Sequence, residues 1–219
     1  MSELAIQLIH LLGAVLLMLA FAMLSQRRVL SLVHLFTLQG ATLVASTALV
    51  GYATHQPHLY LSAAITLALK VILIPVLLHR VIDRLDVRWD IETLINIPTT
   101  MIVGILLVIF AFNLGLPIAR FSSSIARGTL GIALACVLLS FMMMITRAKA
   151  VPQVIGFLAM ENGLLFAATT ATFGMPLVWE LGVALDVLVA TLIFGIFFFH
   201  IREQFDSLDI RHMEKLKQD

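Results

Sequence analysis

The sequence contains little charge and a single cysteine, and each scarcity excludes a class of protein. Only 12% of the 219 residues are charged, about half the share in an ordinary soluble domain, whereas 61% are hydrophobic. Such a chain lacks the polar side chains that would cover a soluble core, and it has no basic stripe for nucleic acid. Cys136 lies inside an apolar run, which excludes a disulfide framework and a cysteine metal site.

The charges stand in short clusters between long apolar runs, which predicts an all-α, polytopic membrane protein. Seven runs approach the roughly 20 residues that a helix needs to cross a hydrocarbon core of about 30 Å. Pro75 lies inside the third run and predicts a kink there, whereas the other prolines fall at or outside the predicted limits. The predicted spans are Leu4–Leu24, Val29–Gly51, Leu59–His79, Pro98–Leu114, Ile125–Thr146, Pro152–Phe173 and Val178–His200.

The basic residues outside the spans predict their orientation. Eleven of them fall on one side of the predicted membrane, and only Arg120 and Arg127 fall on the other. Because cytoplasmic loops carry the excess of Lys and Arg, the N-terminus is predicted outside and the C-terminus in the cytoplasm. The eleven residues are Arg27, Arg28, Arg80, Arg84, Arg88, Arg147, Lys149, Arg202, Arg211, Lys215 and Lys217.

Three charged side chains, Lys70, Glu161 and Asp186, lie deep inside predicted spans. At 1.5 Å per residue, Glu161 is about 13 Å, Asp186 about 12 Å and Lys70 about 16 Å from the start of its span, so all three share the central slab. A carboxylate at this depth costs about 2.5–3.5 kcal/mol even on lenient insertion scales, and such residues usually have a function. Two interpretations are open: a proton relay, or a structural cluster of interhelical ion pairs.

Two further features have a functional and a plain structural interpretation. His34, in the second span, is either a relay member or a hydrogen-bonded packing histidine. The segment Val81–Asn96 has apolar residues at helical spacing, so we predict an interfacial helix that docks a peripheral subunit or rests on lipid headgroups. The sequence contains no nucleotide loop, nucleophile elbow, zinc motif or haem pair, so we predict no catalytic residue, metal ligand or cofactor site in this chain.

The sequence resembles the hydrogenase-4 component E family, most closely in its last third. Members of that family are membrane subunits of group 4 [NiFe] hydrogenase and formate hydrogenlyase complexes. The stretches that carry the resemblance are Gly156-Phe-Leu-Ala-Met-Glu-Asn-Gly163, Glu180-Leu-Gly-Val-Ala-Leu-Asp186, Ser207-Leu-Asp-Ile210 and, in the N-terminal half, Lys70-Val-Ile-Leu-Ile-Pro75.

The last three spans are also similar to the K subunit of respiratory complex I and to the C subunit of multisubunit cation/proton antiporters. This similarity divides the chain into a four-helix region, residues 1–116, and a three-helix region with a cytoplasmic tail, residues 117–219. In those relatives an arginine-bearing loop precedes a helix with a central Glu, a pattern that Arg147 and Glu161 match. Their next helix carries a second Glu. The matching position here is Ala190, and Asp186 lies one turn earlier on the same face.

The resemblance implies a non-catalytic subunit of an energy-converting complex in the prokaryotic inner membrane. Its partners would be antiporter-like and other membrane subunits, a peripheral hydrogenase module and lipids. The [NiFe] centre and iron–sulfur clusters would belong to those partner subunits, with no cofactor in this chain. Glu161 and its neighbours would pass protons or couple redox chemistry to ion translocation. The alternatives are a subunit of a cation/proton antiporter or related complex I-like complex, and a purely structural membrane scaffold.

Overall fold

A computed structural model describes residues 3–84, 93–119 and 124–172, together with Gly182, Leu185, Asp186 and Val189. Every regular element within these ranges is a helix, and six helical spans are long and apolar enough to cross a membrane. The prediction of an all-helical, multi-pass membrane protein is therefore confirmed. The seventh predicted span, Val178–His200, and the C-terminal tail lie outside the described residues, apart from the four residues named above.

Each span is helical because lipid offers its backbone no hydrogen-bonding partner, so the N–H and C=O groups must pair within the segment. The third span is interrupted: α3 and α4 are separated by a π-helical segment but form one continuous run. The helices are α1 (Glu3–Ser25), α2 (Val29–Thr54), α3 (His58–Thr66), the π-helical segment (Leu67–Leu73), α4 (Ile74–Arg84), α5 (Ile97–Ala119), α6 (Ser124–Thr146) and α7 (Ala150–Thr172).

The π-helical segment lies directly before Pro75, the residue that predicted an irregularity in this span. Proline has no N–H to donate, so it breaks the α-helical ladder of the preceding turn. The ladder shifts at this point to the wider π spacing, in which Ile74 N–H bonds to Leu69 O, five residues earlier. The shift matters for the site described below because Lys70 lies within the segment.

The fourth predicted span, Pro98–Leu114, agrees closely with the apolar stretch Ile97–Gly115, and helix α5 itself continues to Ala119, so Pro117 lies within its last turn. One detail of the sequence interpretation is wrong. The predicted interfacial helix does not continue to Asn96, because residues 93–96 are not helical. Thr93 forms an isolated bridge with Arg147, and Leu94 N–H bonds to Thr146 O at 2.9 Å. The centre of that predicted helix, residues 85–92, lies outside the described residues.

Helices α1, α2, α6 and α7 form the centre of the bundle, and α5 lies at its periphery. Helix α7 contacts both α6 and α2, α1 contacts α2 and α6, and the π-helical segment packs on α2. The core between them is apolar, with Leu16, Phe36, Leu139 and Phe166 fully buried. This arrangement brings one side of α7 close to α2 and to the π-helical segment in mid-bundle.

Candidate functional site

Three charged side chains from separate helical segments meet inside the bundle, and we call them the charged trio. Lys70 Nζ lies 3.2 Å from Glu161 Oε2 and 3.5 Å from Asp186 Oδ1. The three side chains are almost wholly buried, with exposed fractions of 0%, 2% and 4%. The structure thus brings together three of the four residues that the sequence proposed as relay members, across the two halves of the chain.

Two buried amides hold the ammonium of the charged trio in place. Lys70 Nζ donates a hydrogen bond of 3.0 Å to Asn162 Oδ1, and Asn162 Nδ2 donates one of 3.2 Å to Gln39 Oε1. The chain of bonds ties the π-helical segment, α7 and α2 together. Sequence reasoning missed both amides, although each is an uncharged polar residue inside an otherwise apolar span, and Asn162 directly follows Glu161.

Small residues let the helices that carry these side chains approach closely. A Cβ atom on Gly40 of α2 would lie 3.5 Å from Lys70 Cβ and 3.7 Å from Lys70 O, so the bare backbone of α2 faces the π-helical segment. On the other side of α7, a Cβ atom on Gly163 would lie 3.1 Å from Cys136 Cβ and 3.2 Å from the backbone nitrogen of Val137 in α6. Gly163 therefore allows α7 to pack closely against α6, and this close packing positions the adjoining Glu161 and Asn162.

The residues described around Asp186 form one buried helical face. Gly182, Asp186 and Val189 are helical and buried, at spacings of four and three residues. A Cβ atom on Gly182 would lie 2.9 Å from Leu165 Cδ2 of α7. This contact places the helical face of Asp186 against α7, the helix that carries Glu161.

The charged trio has more acid than base. It contains two carboxyl groups and one ammonium, and its amide neighbours are uncharged. Both oxygens of Glu161 and Asp186 Oδ1 lack an aligned hydrogen-bond donor among the described residues, although Lys70 Nζ is within ion-pair distance of two of these atoms. The free lone pairs of the carboxyl groups can accept protons, which is the chemistry that this arrangement offers.

His34, the fourth proposed relay residue, lies apart from the charged trio on the exposed side of α2. Its Nδ1 atom donates a 2.8 Å hydrogen bond to Leu30 O, and its ring packs edge-on against His79 at a centroid distance of 5.5 Å. His34 precedes Gln39 by five residues, or about 7.5 Å along the axis of α2. The described residues include no group of three or more His, Cys, Asp or Glu that could hold a metal ion.

Arg147, at the end of α6, ties two helix ends together. It is only 1% exposed, and its Nη2 atom donates hydrogen bonds to Leu24 O at 2.7 Å and Met23 O at 3.3 Å. A cation is favourable there because the C-terminal carbonyls of α1 carry partial negative charge. Burial lowers the pKa of Arg147, yet a guanidinium remains protonated in proteins. Arg147 therefore joins the α1–α2 turn to the α6–α7 turn.

The comparisons with known proteins identify a relative in Mycobacterium tuberculosis. No protein-family model and no solved structure matches the chain. The mycobacterial protein, which bears the name Uncharacterized protein Rv0085, is 30% identical over 193 residues, a stretch that covers 88% of each chain. Identity at this level over nearly the whole length of both sequences indicates common descent. The chain therefore belongs to the same family as the mycobacterial protein Rv0085.

Proposed function

We propose that this chain is a non-catalytic membrane subunit of a group 4 [NiFe] hydrogenase complex of the formate hydrogenlyase type. In that complex it contributes to proton relay, or to the coupling between redox chemistry and ion translocation. The observation that carries the proposal is the charged trio, buried in mid-bundle between helices from both halves of the chain.

The composition of the charged trio favours a relay over a structural scaffold. A scaffold is served better by apolar packing, because replacing a buried ion pair with well-packed hydrophobic residues is often neutral or stabilising by about 1–4 kcal/mol. A structural ion pair also needs one acid for one base, whereas Lys70 faces both Glu161 and Asp186. An extra carboxyl group with unpartnered oxygens adds cost to a scaffold, but a relay requires it.

The proposed membrane arrangement has seven spans in the prokaryotic inner membrane, with the N-terminus outside and the C-terminus in the cytoplasm. The loop charges support it by the positive-inside rule. Reporter fusions after Asp219 and next to Pro117 would report opposite sides of the membrane. Signals from the same side at both positions would contradict the seven-span arrangement.

In the proposed complex, electrons travel through a [NiFe] centre and iron–sulfur clusters held by the peripheral hydrogenase module. The membrane partners are antiporter-like subunits. Many large apolar side chains are exposed on the described helices, Ile102, Leu106 and Phe110 of α5 among them, and they would be covered by lipid or by those subunits. A cation/proton antiporter or related complex I-like complex is the second candidate, since the charged trio suits ion coupling in either assembly. A purely structural scaffold is the third.

The experiment for this proposal is purification of the tagged chain from native membranes in mild detergent, with mass spectrometry of the proteins that accompany it. We expect a nickel-containing hydrogenase subunit, iron–sulfur subunits and antiporter-like membrane subunits in fixed proportion. Antiporter subunits without a nickel protein would replace the proposal with the second candidate. A monodisperse chain that purifies alone would contradict both.

A further inference from the structure

We infer that Lys70 is a shared counter-ion that lets one proton exchange between Glu161 and Asp186 without changing the buried net charge. The inference rests on the proposed role of the charged trio in proton transfer and specifies how its three members act. The geometry that carries it is the position of one ammonium within 3.2 Å of one carboxyl oxygen and 3.5 Å of the other.

The count of charges requires a retained proton. Lys70, Glu161 and Asp186 are 0%, 2% and 4% exposed, so water screens none of them. An uncompensated charge in such a place is strongly disfavoured, and a buried group neutralises instead. With one ammonium present, the neutral state of the charged trio has one ionised carboxyl and one protonated carboxyl. The site therefore binds a single exchangeable proton.

Lys70 Nζ lies at nearly the same distance from the two carboxyl groups, so the proton can move from one to the other without a change in the net charge of the trio. The protonated carboxyl of Glu161 gives its proton to the carboxylate of Asp186, one O–H bond breaks and another forms, and the negative charge moves to Glu161. Lys70 Nζ already lies within ion-pair distance of both groups, so the ammonium neutralises whichever is ionised. Its hydrogen bond to Asn162 Oδ1 at 3.0 Å anchors it between them in both states.

The described surroundings supply no other charge to this balance. Within the described residues, α2 contributes the neutral amide of Gln39, and α7 contributes the neutral amide of Asn162. The charged groups that act on Glu161 there are Lys70 and Asp186, and those that act on Asp186 are Lys70 and Glu161. Among the described residues the charged trio is therefore a closed set, and changing any one member should change the protonation of another.

The test is infrared difference spectroscopy of the purified complex, comparing the wild type with the Glu161→Gln, Asp186→Asn, Lys70→Met and Glu161→Asp variants. The signal is the C=O stretch of a protonated carboxylic acid, which shifts when the sample is moved into D₂O. We expect Glu161→Gln and Asp186→Asn each to remove one such band, because the remaining carboxyl is then ionised opposite Lys70. Lys70→Met leaves two acids without a cation, so the band should roughly double. Glu161→Asp keeps both acids and should keep the band.

Loss of the band in only one of the two amide variants would overturn the inference, since it would assign the proton permanently to one residue. Equal spectra in the wild type and both amide variants would also overturn it, because both carboxyls would then be ionised. If one amide variant fails to assemble, the conservative variant of the same residue, Glu161→Asp or Asp186→Glu, replaces it, and loss of the acid band in that variant would overturn the inference. The spectra report on protonation alone, so they can contradict this inference while proton translocation still depends on Glu161. Loss of the proposed complex would show instead in the co-purification experiment.

Discussion

Helices α5 and α7 are both long and apolar enough to cross a membrane, but their surroundings differ sharply. About half of the span formed by α7 is buried inside the chain (56%), against 17% of the span formed by α5. An asparagine on each helix shows the consequence. Asn113 of α5 is exposed and, among the described residues, bonds only to Ile109 O of its own helix. Asn162 of α7 is fully buried and bonds to side chains of two other elements. Polar groups connect the helices inside the bundle, and apolar side chains cover the helix at its edge.

The largest effect should come from leaving the charge of Lys70 without a counter-ion. The double variant Glu161→Gln/Asp186→Asn removes both carboxyl groups and should destabilise the assembled protein by about 3–5 kcal/mol, the cost of removing one partner of a buried ion pair. Addition of Lys70→Met removes the orphaned charge and should restore assembly. Native gels and thermal melting of the purified complex measure both effects. Normal assembly of the double variant would show that Lys70 loses its proton there or is reached by water, and either result would contradict the predicted cost.

A charge placed on the peripheral helix α5 should have a slightly smaller free-energy cost than the double variant. Leu106 lies near the middle of α5 and is 59% exposed. Leu106→Lys should reduce membrane accumulation by a free-energy cost of about 2.5–3.5 kcal/mol, because no described residue offers a carboxylate there. Leu106→Ala is the control and should accumulate normally. Wild-type amounts of Leu106→Lys in quantitative immunoblots would indicate that a partner subunit supplies an acid or a water-filled surface at α5.

The same substitution at the two asparagines compares the regions directly. Asn162→Leu removes the amide that bonds Lys70 and Gln39, and leaving those groups unsatisfied should cost about 1–3 kcal/mol. Asn113→Leu on exposed α5 removes only a bond to its own helix and should leave stability unchanged. Thermal melting of the two purified variants measures the difference in their stabilities. Equal melting temperatures would contradict the assignment of Asn162 to a buried network.

Glycine packing should give the smallest effect. Gly163→Ala brings a methyl group to within 3.2 Å of the backbone nitrogen of Val137, which is not free to move away. The crowding should cost about 1 kcal/mol, at the low end of the usual cost of overpacking. Gly40→Ala meets its nearest atoms at 3.5 Å, an ordinary contact, and should be close to neutral. Melting temperatures check the pair, and greater damage from Gly40→Ala would contradict the described approach of α2 to the π-helical segment.

The sequence predicted the six described spans well because apolar length is dictated by the bilayer, and it singled out Lys70, Glu161 and Asp186 because charge is costly there. It did not predict which helices pack together. Lipid tails are as apolar as leucine, so the inward and outward faces of α5 and α7 look alike in sequence. Gln39 and Asn162 carry no charge and therefore gave a weaker signal, although amides are also expensive without partners in lipid. The π-helical segment depends on Pro75 and on packing against α2, which proline alone does not specify.

The central claim is that the carboxyl group of Glu161 carries a proton through the membrane part of an energy-converting complex. The direct measurement is proton translocation by membrane vesicles, normalised to the amount of assembled complex. Glu161→Gln keeps the shape of the side chain but cannot ionise, so the account predicts normal assembly with translocation reduced by about tenfold or more, within the range that proton-transfer groups contribute. Glu161→Asp should retain part of the activity because its carboxyl remains. Wild-type translocation by the assembled Glu161→Gln variant would contradict the account and leave the charged trio as a structural ion cluster.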